Sequence, residues 1–235
     1  MPTTAEAGGH HSLLGSSVLV AGATGGLGRA MADELHTRGA TLTLVGRDAR
    51  RLGDLELPGT RHVADLRSAQ ACAGAVAAAG EPLDVVVNAV GVVAFGPVAE
   101  LSPGVLEELI AVNVSVPILL ARAALPVLAP HGAIVNLSGV VAERNLPGMA
   151  AYGASKAAVR AFDQALAREA RRSRIPVLDA RPPHTETGLA GRALEGRAPV
   201  LPAGLSPAHV ATVICDALEQ GATDLPSGDF AEETT

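Results

Sequence analysis

Ser16-Ser-Val-Leu-Val-Ala21 runs straight into Gly22-Ala-Thr24-Gly-Gly26-Leu27-Gly28, and a helical stretch, Arg29 to Arg38, follows before Gly39. The Val/Leu run reads as a buried strand. Gly39 is a helix stop. Strand, glycine turn and helix in this order form the setting that a dinucleotide-binding turn requires. Glycines let the backbone come close to a diphosphate. The helix start then offers unpaired N–H groups and the positive end of its dipole. Gly22, Thr24, Gly26, Leu27 and Gly28 are therefore candidate cofactor contacts. The spacing is Gly-x-x-x-Gly-x-Gly rather than Gly-x-Gly-x-x-Gly.

Working outward, Thr41 to Val45 is a second strand, closed by Gly46-Arg47. An acidic residue here would hold the ribose hydroxyls of NAD, whereas a basic one suits a 2′-phosphate. Arg47 and the missing acid point to NADP, with NAD possible. Thr60 to Ala64 is a third strand, ending at Asp65-Leu66. Ser68 caps an Ala-rich helix that stops at Gly80. Asp84 to Val87 is a fourth strand and opens into Asn88-Ala-Val-Gly91. Pro103 to Leu128 reads as one long apolar helix interrupted by Pro117 and Pro126, with Asn113 among apolar neighbours. Ala133 to Leu137 is a fifth strand before Ser138-Gly139, and Ile175 to Ala180 a sixth, broken by Arg181-Pro-Pro183. A last helix starts at Ser206-Pro207. Only Ala222 to Leu225 offers a seventh strand. Strands and helices alternate throughout and the strands are near-continuously apolar. The expected fold is α/β, a single doubly wound parallel sheet with helices on both faces.

The expected layout has a loose tail over residues 1–14, one domain over 15–222, and a polar tail over 223–235. Residues 184–205 are rich in Gly, Pro and Arg and read as a flap over a site. The net charge of −6 argues against nucleic acid. Cys72 and Cys215 are isolated and read as free thiols rather than a disulfide or zinc site. The first apolar run is too short for a signal peptide or a membrane span, so the expected address is the cytoplasm and no membrane partner is expected.

Tyr152 is the only tyrosine in the chain. It stands four residues before Lys156 at the start of a helical run that continues to about Arg172, so the two side chains share a helix face. A free phenol ionises near ~10. A neighbouring ammonium should lower that value and give a group that exchanges a proton with an alcohol oxygen.

With Gly22-x-x-x-Gly26-x-Gly28, Asp65, Asn88-Ala-Val-Gly91, Asn113, Ser138 and Tyr152-x-x-x-Lys156 in this order, the chain resembles the short-chain dehydrogenase/reductase family from about Ser16 to about Gln220. The resemblance implies hydride transfer between a nicotinamide and a small carbonyl or secondary-alcohol substrate. It implies Tyr152 as general acid/base, Lys156 on the nicotinamide ribose, Ser138 polarising the carbonyl, and Asn113 holding a water in a proton relay. It also implies Asp65 and Leu66 at the adenine, Asn88 and Gly91 behind the cofactor, and Thr187 near the nicotinamide and diphosphate. A homodimer or homotetramer is the implied assembly. Three departures stand out: Ala89 and Val90 in the Asn-Asn-Ala-Gly motif, Pro183 for a glycine, and Gly139 thirteen residues before Tyr152, where the family's serine usually stands. Either Ser138 reaches in from one position earlier, or the site lacks that hydroxyl. Two alternatives to the reductase are a non-catalytic, cofactor-sensing protein and a dehydratase or epimerase on the same fold.

Overall fold

A computed structural model describes residues 11–231. Seven strands form one sheet: β1 (Ser17–Ala21), β2 (Thr41–Gly46), β3 (Thr60–Val63), β4 (Leu83–Asn88), β5 (Leu128–Leu137), β6 (Val177–Ala180) and β7 (Asp224–Leu225). Their spatial order is β3-β2-β1-β4-β5-β6-β7, and every neighbouring pair is parallel. The doubly wound α/β sheet read from the sequence is the architecture observed. The order reverses between β1 and β4, and ligands of such sheets bind outside the carboxyl ends of the strands at this point.

Side chains alternate across the sheet. Val18, Val20, Val85, Val87, Ala133 and Val135 meet Met31, Leu35, Val210 and Ile214 on one face. That face is covered by α1 (Gly26–Thr37) and α7 (Pro207–Glu219). Arg38 binds the two helices together, because its guanidinium reaches Glu34, Asp216 and Glu219. Leu19, Ala21 and Val86 face the other way, toward α3 (Ala69–Ala79) and α5 (Val116–Ala124). Ile134 and Val177 pack beneath α6 (Ala150–Ala170). Ser68 and Ser206 cap α3 and α7 by accepting from Ala71 N and His209 N at 3.1 and 3.2 Å. The short α2 (Ala49–Gly53) is capped by Asp48.

Several boundaries differ from the sequence reading. The stretch Pro103 to Leu128 is two helices, α4 (Pro103–Ile110) and α5, joined by a π-helical turn over Ala111–Ser115. Pro117 has no N–H to give the carbonyl four residues back, that of Asn113, so the regular ladder cannot pass this point. Pro103–Ala124 is apolar enough to match a membrane span by length and composition, with mean hydropathy 1.7. Its inner side nevertheless packs against α3 and α6. β5 starts at Leu128, five residues early, because a register irregularity at Leu83/Val85 lets the strand continue past Pro130 and Gly132.

The tails are also tighter than expected. Residues 1–10 and 232–235 lie outside the described residues, so that part of each tail reading is not addressed. Leu13 is fully buried in the main core, and His11 N donates to Glu219 O. At the other end Phe230 is fully buried and its carbonyl meets His209 Nε2 at 3.0 Å. The core therefore draws in apolar residues on both sides of the expected 15–222 domain.

Candidate active site

The glycine turn follows β1 and leads into α1 with no side-chain cap, so the helix start is open. Gly22 has φ +81, and a Cβ there would lie 2.9 Å from the Ala89 backbone; a Cβ on Gly28 would run into the Gly22 carbonyl. This is a cradle that only glycine can build, and it fits a diphosphate. Thr187, at the start of the flap, closes on the turn: a Cβ on Gly26 would stand 2.7 Å from the Thr187 backbone. Thr24 O accepts from Arg51 Nη2 at 2.6 Å, and Leu27 lies half-buried beside it.

Gly46 backs onto Thr24 and Leu52, so a side chain there would run into Leu52. That contact is with the tip of a flexible side chain, and Arg47 beside Gly46 is exposed. Asp65 is held below the usual carboxylate range by its ion pair with Arg67. Leu66 buries its side chain in the core. The residues of this cleft fit an NADP molecule. Gly22 to Gly28 would hold the diphosphate, Arg47 the 2′-phosphate, and Asp65 with the Leu66 backbone the adenine end.

At the end of β4, Asn88 donates to Asn136 Oδ1 at 3.1 Å and accepts from Val90 N at 3.2 Å, which fixes the turn to Gly91. Beyond the turn, Asn113 clamps Val92 by accepting from its N–H and donating to its carbonyl, both at 2.9 Å. Its second N–H goes to Ser155 Oγ at 3.0 Å. Both side-chain donors of Asn113 are thus taken. A water relay at this residue has to donate to Asn113, and the backbone carbonyl that Pro117 leaves without its usual donor is one acceptor for it. Gly91 joins this group to Lys156, because a Cβ on Gly91 would stand 3.5 Å from Asn113 Oδ1 and 3.6 Å from Lys156 Nζ.

Lys156 donates to Leu137 O at 2.6 Å. Burial lowers its pKa to about 8, against the opposing pull of Asp179 and Asp163. Tyr152 sits one turn earlier on α6. It packs among Val93, Phe95, Val141 and Met149, and the flap lays Leu189, Ala190, Ala193 and Ala198 against the same cluster. Burial pushes the phenol up to about 12. The expected lowering by the neighbouring ammonium is absent here. Lys156 is itself desolvated and tied to the strand, so the apolar chamber decides the phenol's ionisation. The flap is anchored at both ends: Leu205 N donates to His184 O at 2.8 Å, and Gly204 N to Glu186 Oε1 at 2.8 Å.

Ser138 is the main correction. It is fully buried at the end of β5, and its hydroxyl donates to Asp179 Oδ1 on β6. A serine hydroxyl has one proton to give. With that proton committed to Asp179, Ser138 cannot polarise a substrate carbonyl, and no hydrogen bond joins it to Tyr152 among the described residues. Gly139 holds the place thirteen residues before Tyr152 with φ 83 and ψ 164, a backbone region essentially restricted to glycine. The site lacks the family's serine hydroxyl.

Sequence reasoning missed a buried polar network beneath the site. Asp179 is shared by Ser138 and Arg181, and Arg181 also binds Glu143 and, at 2.8 Å, Asp224. Arg181 is 1% exposed. Burial alone would lower its pKa, but the three carboxylates outweigh this and raise it. The sequence signal was a lone arginine between Ala180 and Pro182, read only as the strand's end.

Asp163 on α6 accepts from Asn136 Nδ2 at 2.6 Å through Oδ1, while its buried Oδ2 has no partner. Burial raises its pKa from 3.8 to about 8. The unfolded chain ionises this carboxyl at its ordinary value, whereas the fold keeps it protonated to about 8. Stability is therefore highest below the ordinary value. It falls by about 1.4 kcal/mol per pH unit as pH rises through this window, then levels off. Asp163→Asn, an isostere of the neutral carboxyl, removes that dependence. Thermal unfolding followed between about pH 5 and 8 should show the wild type losing several degrees relative to the variant; parallel curves would rule out a neutral Asp163.

The comparisons with known proteins fall on this frame. The short chain dehydrogenase family profile matches residues 16–198. The chain belongs to the short-chain dehydrogenase/reductase family. It is 32% identical over 191 residues to dehydrogenase/reductase SDR family member 7B of Bos taurus, covering 73% of this chain and 58% of that protein. It is 36% identical over 167 residues to D-threitol dehydrogenase of Mycolicibacterium smegmatis, covering 66% and 64%. The chain thus spans about three-fifths of the length of such relatives. Among solved structures, a short chain dehydrogenase from Burkholderia cenocepacia in complex with NADP superposes with a TM-score of 0.83 at 25% identity, covering 93% of this chain and 90% of that one. A short-chain dehydrogenase from Sphingobium yanoikuyae in complex with NADPH gives 0.80 at 28% identity, covering 90% and 87%.

Proposed function

We propose that this short-chain dehydrogenase/reductase is an NADP-preferring carbonyl reductase in which Tyr152 gives its proton to the carbonyl oxygen. The observation that carries the reading is the placement of Tyr152 among Val93, Phe95, Val141 and Met149, one turn before Lys156 on α6. NADPH supplies the hydride when bound. The chain's own residues do the rest. Gly22, Gly26 and Gly28 seat the diphosphate against the start of α1. Gly91 leaves Lys156 room beside Asn113, and Lys156 is placed for the ribose hydroxyls. Tyr152 holds its proton until an oxygen that is gaining charge takes it. The flap residues keep water from the chamber. The raised phenol pKa keeps the proton on Tyr152 at neutral pH, the form that a carbonyl reduction draws on. Loss of NADPH absorbance against a panel of aldehydes and ketones, with the alcohol formed in equal amount, tests this. NADPH bound without oxidation of any member would overturn it.

The tied-up Ser138 and the glycine at 139 favour one second reading, a cofactor-binding member without turnover. The same panel separates the two. For assembly we propose a second copy of the chain over the exposed Leu106, Ile110 and Ile118 of α4 and α5, which light scattering in solution checks.

Arg47 supports the preference for NADP. Arg47→Ala should weaken NADP binding about ten- to a hundredfold, the usual range for hydrogen bonds to a charged group, and leave NAD binding nearly unchanged. Titration of both cofactors decides it; equal losses would remove Arg47 from the 2′-phosphate.

A further inference from the structure

Beneath the cofactor cleft, three buried side chains form a run of hydrogen bonds from α6 to the turn after β4. Asn136 Nδ2 donates to Asp163 Oδ1 at 2.6 Å, Asn88 Nδ2 to Asn136 Oδ1 at 3.1 Å, and Val90 N to Asn88 Oδ1 at 3.2 Å. Asp163 and Asn136 are each 1% exposed and Asn88 3%. Asn88 and Asn136 are register partners on β4 and β5, so their side chains share one face of the sheet. All three bonds run the same way: each donor points toward Asp163. A side-chain amide has one accepting end and one donating end. An acceptor at position 163 therefore decides which way Asn136 faces, and Asn136 decides for Asn88. The turn at the far end touches both halves of the cleft. A Cβ on Gly22 would stand 2.9 Å from the Ala89 backbone, and one on Gly91 would stand 3.6 Å from Lys156 Nζ.

We propose that Asp163 is a positioning residue for the cofactor, acting through Asn136 and Asn88 on the turn from Asn88 to Gly91. The proposal rests on the assignment of the cleft to NADP and not on the carbonyl-reductase reading. Asp163 follows Lys156 by two turns on the same face of α6, so one helix holds both Lys156 and the end of the hydrogen-bonded run. Without an acceptor at 163, Asn136 keeps a buried N–H with no partner, which is unfavourable. Nothing then holds Asn136 in one orientation. With its amide turned over, its N–H faces Asn88 Nδ2, donor against donor, and Asn88 loses the bond that keeps its oxygen toward Val90. The backbone from Ala89 to Gly91 gains freedom beside the diphosphate cradle and Lys156. Cofactor binding then has to order a turn that the wild type holds ready.

The test titrates NADP and NAD into the full chain at neutral pH, with no turnover needed. Asp163→Ala should weaken both cofactors alike by roughly 2- to 30-fold, the span expected of residues that act through a network. Equal losses separate this residue from Arg47, whose removal spares NAD. Asp163→Asn keeps an acceptor oxygen and should restore binding of both. Asn136→Ala should lose as much as Asp163→Ala, and the double variant no more than either, because the same run is broken once. Hydrogen exchange gives a second readout: in Asp163→Ala the Val90 amide should exchange faster relative to those of Val86 and Val87 within β4. If Asp163→Ala does not fold, Asp163→Val, which fills the space and also lacks an acceptor, takes its place. Wild-type cofactor affinity in a variant that has lost only thermal stability would overturn the proposal, as would an Asp163→Asn variant that binds as weakly as Asp163→Ala. Both of those outcomes leave the carbonyl-reductase reading standing, and a ketone panel without turnover leaves this proposal standing.

Discussion

Tyr152→Phe is expected to lower kcat by about a thousandfold while NADPH binding stays within about twofold. Proton transfer from a placed side chain contributes roughly a hundred- to ten-thousandfold. Here the phenol carries a second task. Ser138 is committed to Asp179 and Gly139 has no side chain, so of these three positions only Tyr152 keeps a hydroxyl to offer the reacting oxygen. The loss should therefore reach at least the middle of that range. The variant should fold normally. Its ring still fills the space among Val93, Phe95, Val141 and Met149. No described residue depends on the phenolic oxygen; the tyrosine's recorded partner is Ser155, and that bond runs to its backbone carbonyl. Steady-state kinetics beside NADPH fluorescence titration checks both halves. Retention of more than a few per cent of kcat would remove Tyr152 as the proton donor.

Arg181→Ala should give the largest loss of stability. The guanidinium is 1% exposed and joins Asp179, Glu143 and Asp224. Removing one member of a buried ionic group leaves the others uncompensated, which costs about 3–5 kcal/mol. For a chain of this size that is a fall of roughly 6–20 °C in Tm. Asp179 would be left facing Ser138 with no cation beside it, at the end of the strand next to the site. A variant that melts with the wild type would mean that the network contributes nothing net to stability. Arg181→Met, which keeps volume and removes charge, should do no better, because Asp179 stays buried without its cation.

These two predictions mark where the sequence was legible. The glycine turn and the apolar strands are local patterns and lie where the sequence put them; the Tyr152–Lys156 spacing sets the two one turn apart on α6, but burial and not the ammonium governs the phenol. Contacts between distant strands left no such trace. Nothing near Ser138 announces that Asp179, forty-one positions later, takes its only proton. Arg181 looked like punctuation because its three partners come from a loop, its own strand and β7. Asn113 stands among apolar neighbours in the sequence, which does not say where its hydrogen bonds go. The structure supplies them from the Val92 backbone and Ser155, while the proline four residues on explains the π-turn. Leu13 and Phe230 looked like parts of polar tails, because a single apolar residue carries no period. Asp163 was invisible for the same reason: its neutral state comes from burial under α6, which helix periodicity does not encode.

The central claim is a neutral Tyr152 that serves as the proton donor, and the chain has no tryptophan and no second tyrosine. Tyrosinate absorbance in the near ultraviolet therefore reports on this one phenol. Titrated in the folded protein, it should show no ionisation through about pH 10 and an apparent pKa of about 12. Half-ionisation at or below about pH 9 would contradict the account, because the apolar surroundings would then not govern the ionisation of the phenol.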